Sequence, residues 1–92
     1  MCRNIRVLHH FVPPTTPDEV RDAALQFVRK VSGLGKPTAA DQPAFDRAVD
    51  EVAASTARLL QALPTRGAVR TREGEREKAR ARFVLRVERQ GR

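Results

Sequence analysis

The chain has no Trp and no Tyr, a single Cys, a single Met and only four Phe in 92 residues. One Cys excludes an intramolecular disulfide and suits a reducing compartment. No apolar run approaches the roughly 20 residues that a membrane-spanning helix needs. The first residues do not read as a signal peptide, because Ile5, Val7 and Leu8 are interrupted by Arg6 and followed by His9 and His10. A cytoplasmic protein without a membrane partner is therefore expected. Acidic residues are also scarce in one region. Residues 64–92 hold ten Lys/Arg against four Asp/Glu, a balance of +6, whereas residues 1–63 hold eight against seven, a balance of +1.

What remains is 40% hydrophobic, enough for a small core of Ala, Val and Leu with Phe anchors. The chain is expected to be all-α, with an extended N-terminal arm on an antiparallel two-helix hairpin and a basic C-terminal helix. Two regions follow: residues 1–63 as arm and hairpin, and 64–92 as linker and Arg-rich helix or tail. In the arm, Ile5, Val7, His9 and Phe11 alternate as on one face of a strand, until Pro13 and Pro14 end it. Thr16-Pro17-Asp18-Glu19 reads as a capping box opening a helix over 17–32. Val20, Ala24, Phe27, Val28 and Val31 form its apolar stripe, and Gly33 its C-cap. A second helix is expected over 41–63, with Phe45, Ala48, Val49, Val52, Thr56, Leu59, Leu60 and Leu63 in a stripe that Pro64 stops. PTRGAVRT reads as a polar linker. A third helix over about 72–87 carries three opposite-charge pairs, Glu73 with Arg76, Glu75 with Lys78 and Glu77 with Arg80. Its only apolar stripe is Ala79, Phe83 and Val87, so it docks weakly or frays. The competing reading makes FVLRV a strand that pairs with the arm.

The stretches MCRNI, PP, AALQFVRKVSG, KP and AFDRAVDEVA resemble the bacterial family known as domain of unknown function 2277. The resemblance runs from Met1 to about Leu63, with a looser Arg/Ala-rich tail. It implies a short bacterial protein, and brings no reaction, cofactor or catalytic residue with it. This chain departs from the family pattern at His9-His10 and at Val12.

Chemistry has few places to sit. Cys2 would follow a free amine if Met1 were removed, and the charge of Arg3 would favour its thiolate. Cys2, Arg3 and Asn4 thus define one candidate, a small enzyme or redox-sensitive protein with a terminal nucleophile. Against it, the sequence shows no pocket and no oxyanion donors. The other reading packs Cys2 locally, with Arg3 and Asn4 pairing or capping. His9 and His10 lack the further spaced ligands a metal site needs, so no metal and no cofactor is expected. Asp46, Asp50 and Glu51 read as a solvated face. Gly33-Leu34-Gly35 with Lys36 resembles a helix-hairpin-helix loop that meets a phosphate, or simply a Gly-capped helix end. Finally, Arg66, Arg70, Arg72, Arg76, Arg80, Arg82 and Arg86 could track phosphates. A non-enzymatic module that binds nucleic acid or an acidic protein is the leading expectation. A helical homo-oligomer through the long second stripe is a further one.

Overall fold

A computed structural model describes residues 5–90. Among these residues there are three helices and no strand: α1 over Pro17–Ser32, α2 over Gln42–Ala62 and α3 over Arg72–Gln90. The all-α class expected from the sequence holds.

α1 starts and stops on the predicted signals. Thr16 has an extended backbone, its hydroxyl accepts from the Glu19 amide, and the Glu19 carboxylate accepts from the Thr16 amide. That reciprocal pair satisfies two of the amides a helix start leaves free. At the other end Gly33 adopts a left-handed φ of 74°, and its amide donates to the Arg29 carbonyl. α2 begins after Asp41 rather than on it. Thr38 organises the approach: its carbonyl accepts from the Asp41 and Gln42 amides, and its hydroxyl bonds the Asp41 carboxylate. Leu63 ends α2 in an extended conformation ahead of Pro64.

Among the described residues, α1 and α2 are the only pair of helices that pack on each other. Ala24 and Val28 meet Phe45 and Val49, with Leu25, Leu34, Ala48, Val52 and Ala53 around them. Burying a Val or Phe side chain contributes about 1.5–3 kcal/mol, so this small cluster carries most of the burial energy. The core is shorter than the stripes imply. Phe27 and Val31 of α1 are exposed, as are Leu59 and Leu63 at the far end of α2. Two helices in contact cover only the faces that touch, and among the described residues no third helix lies over the rest.

α3 runs three residues beyond its expected end and buries nothing. The strand reading of FVLRV is overturned, since residues 83–87 lie inside this helix. The cause is local. Thr71 accepts from the Gly74 amide at 2.9 Å and starts the helix, while Glu75 with Lys78 and Glu77 with Arg80 support its first turns. The third expected pair, Glu73 with Arg76, is not formed.

The arm also differs from a continuous strand. His10 has a left-handed φ of 65°, which breaks the alternation. The pairing it makes is a single parallel bridge from Phe11 to Arg70 in the 63–71 connection, where the Val12 amide donates to the Arg70 carbonyl and the Arg70 amide to the His10 carbonyl.

Candidate nucleic-acid interface

The seven arginines singled out in residues 64–92 divide into two groups. Arg70 and Arg72 face inward. Arg72 forms a fork on Glu19, with Nε donating to Oε2 at 3.0 Å and Nη2 to Oε1 at 2.7 Å. The same guanidinium donates to the Pro13 carbonyl at 2.7 Å and lies over the Phe11 ring at 5.4 Å. Bidentate geometry suits Arg and a carboxylate, and the pair is only partly exposed. The Arg72 hydrogen bond, followed by the Thr16 amide, pulls the Glu19 pKa down to about 2, and the same contact raises that of Arg72. Arg70 donates to the His9 carbonyl at 2.7 Å and reaches Glu75 at 3.4 Å. These two side chains fasten the arm and the start of α1 to the start of α3.

The others face water. Arg66, Arg76, Arg80, Arg82 and Arg86 are exposed, and so is Lys36 on the α1–α2 connection. Of these, Arg80 pairs with Glu77 at 3.5 Å. Arg86 lies beside the Phe83 ring at 6.0 Å. Arg66, Arg76, Arg82 and Arg86 have no carboxylate partner among the described residues. Within α3, Lys78, Arg82, Arg86 and Arg89 recur at four, four and three residues and share one helix face. The ridge is about 16 Å long. Arg89 escaped the sequence reading, which ended the helix at about residue 87. The signal that could have found it is this same spacing, carried one turn further.

The remaining candidates fall away from the ridge or from each other. Cys2, Arg3 and Asn4 lie outside the described residues. The His9 and His10 rings are 6.2 Å apart and tilted by 39°. His10 Nε2 lies 3.3 Å from the Gly67 carbonyl, and His9 Nε2 is buried without a partner. No group of three or more His, Cys, Asp or Glu among the described residues is placed to hold a metal. Asp46 accepts from Gln42 and Asp50 from Arg21, so these carboxylates make local surface contacts. In GLGK only Gly33 is left-handed, and Leu34 packs on the core, so this turn serves the helix end. No helix is long and apolar enough to cross a membrane among the described residues.

A family model described as an uncharacterized conserved protein, DUF2277, matches residues 1–78 of the 92-residue chain. The chain belongs to the DUF2277 family. No curated protein and no solved structure matches it. The DUF2277 match takes in the arm, α1, α2, the connection and the first turns of α3. The Arg70 and Arg72 contacts fall inside it. Arg82, Arg86 and Arg89, with the apolar Phe83–Val87 stretch, fall beyond it.

Proposed function

We propose that this DUF2277 chain is a non-enzymatic binding module that takes a nucleic-acid backbone on the α3 ridge. One observation carries the reading: α3 stands clear of the α1–α2 core, and Arg82, Arg86 and Arg89 on it have no carboxylate partner among the described residues. Residues 79–90 hold four Arg and one Glu, a balance of +3, whereas 72–78 hold three cations and three Glu and are neutral. The charge therefore lies on the half of the helix that touches nothing. Guanidinium groups one turn apart match a regular array of phosphates, and their forks bind phosphate bidentately. With no aromatic platform on the ridge, binding is expected to be sequence-independent and governed by salt.

Fluorescence anisotropy with a labelled single-stranded RNA and a labelled DNA duplex tests this. Binding is expected in the range of about 10⁻⁴–10⁻⁶ M, weakening with salt at a log–log slope of about −3 for four phosphate contacts. The triple variant Arg82→Ala, Arg86→Ala, Arg89→Ala is expected to weaken binding at least about tenfold. Equal binding by that variant, or no binding at low salt, removes the proposal. Binding to polyglutamate but to neither nucleic acid assigns the ridge to an acidic protein instead.

A further inference from the structure

The monomer leaves its core open. Among the described residues, Val20, Ala24, Val28, Phe45 and Val49 are the buried hydrophobic residues, against twelve large hydrophobics that are exposed. The accessible surface is 7524 Å², whereas a compact monomer of 10.3 kDa exposes about 5,400 Å². The radius of gyration is 16.2 Å, against about 12 Å for a compact chain of this length. The molecule is only 16 Å thick along its shortest axis. Each chain thus carries about 2,100 Å² more surface than a closed fold needs. Two chains that closed it would bury about 4,000 Å², within the roughly 2,000–5,000 Å² of obligate homodimers.

Two apolar surfaces lie within this excess. One is a groove of about 360 Å³, between residues 5–8 on one side and α1 and α2 on the other. Ile5, Leu8, Phe27, Val52 and Leu60 line it. The other is the α3 stripe, where Phe83 is 58% and Val87 48% exposed, one turn apart. The α3 helix is about 28 Å long and packs on neither of its neighbours. Its first residue is fixed by the Arg72 contacts to Glu19 and Pro13, so its far end projects.

We propose that a second copy of this chain fills the groove, each α3 laying Phe83 and Val87 between Ile5 and Phe27 of the other chain. Both halves of the contact are on one sequence, so no further partner is required. Reciprocal exchange about a two-fold axis uses each groove and each stripe once and stops at two chains. An aromatic ring and a valine one turn apart are the anchors that a helix offers to an apolar groove. Arg82 and Arg89 are more than a quarter-turn from the Phe83–Val87 line, whereas Arg86 lies beside the Phe83 ring at 6.0 Å and borders the contact. The two proposals therefore share Arg86 alone, and the dimer is tested where ridge binding is lost.

Light scattering on the full chain, from about 1 to 100 µM, is expected to report twice the 10.3 kDa monomer mass. That mass should persist at about 1 M salt, where ridge binding is lost. Phe83→Glu with Val87→Glu is expected to give a monomer of unchanged helix content, since neither side chain packs in the α1–α2 core. Phe27→Glu is expected to do the same from the groove side, with Ile5→Glu on the opposite wall as the second variant should Phe27→Glu lose helix. Mixing the α3 variant with a groove variant leaves one intact contact, and a weaker heterodimer should form. A monomer at the highest concentration overturns the proposal. So does a dimer that survives the α3 substitutions, and so does one that loses its dimer to them but not to either groove substitution, which would mean that the α3 helices pair with each other.

Discussion

At the scale of single residues, charge counting and geometry part company. The sequence reading put Arg70 and Arg72 with the phosphate-tracking arginines, because a +6 segment offers no way to tell a clamped guanidinium from a free one. Apart from Glu75 beside Arg70, their partners include Glu19 and the His9 and Pro13 carbonyls, more than fifty residues away. The capping role of Glu19 was legible, since Thr16 lies three residues before it. Its grip on Arg72 was not. A pH dependence follows from this carboxylate. Its pKa falls from an ordinary 4.5 to about 2 in the folded chain. A depressed carboxylate stabilises the fold above its unfolded value, and the contribution disappears as pH falls through the folded value. Thermal melts of the native chain and of Glu19→Gln should therefore differ most near neutrality. The gap should close between pH 4.5 and about 2. A gap that stays constant across that interval would sink the assignment.

At the scale of elements, the helices were legible and the arm was not. α1 and α2 announce themselves by apolar spacing, a capping box, Gly33 and Pro64, all of them local signals. The arm fails as a strand at His10, where a left-handed backbone changes direction without any Gly to flag it. α3 was readable from its charge pairs, and its thin stripe of Ala79, Phe83 and Val87 already pointed to weak docking; that it buries no side chain at all was not legible, because an apolar stripe predicts that a helix can pack rather than what it packs on. Helix ends allow a clean test. Gly33 is left-handed with open space where a side chain would go, and Gly35 has open space without the left-handed φ. Gly33→Ala should cost about 1 kcal/mol in urea unfolding, from backbone strain alone. Gly35→Ala should cost far less. Equal losses would show that something other than the helix cap sets the price. Arg89 in the last turn of α3 also suits the negative end of that helix, so its removal weakens the ridge and slightly frays the helix. For that reason the helix content of the triple variant is to be measured beside its binding.

For the molecule as a whole, the DUF2277 portion and the end of α3 do different work. The part matched by the family builds the core and ties the arm to the start of α3. The segment beyond Lys78 holds the uncompensated charge and the largest stretch of uncovered apolar side chains. Nucleic-acid binding and self-association, as proposed, draw on faces of that one segment that meet at Arg86. Loss of either should leave the other measurable.

The carboxylate of Glu19 accepts from the Thr16 amide, which closes the first turn of α1, and from Arg72, which opens α3. One side chain therefore guards two ends of the chain against fraying. Local opening of the first turn of α1 and release of α3 become a single event with a single free energy. Amide hydrogen exchange should show it. Protection at Glu19 and at Gly74 should fall together in Arg72→Ala, although 55 residues separate them in sequence, while amides around Val49 keep theirs. Loss at one end alone would mean that the two helix starts open independently.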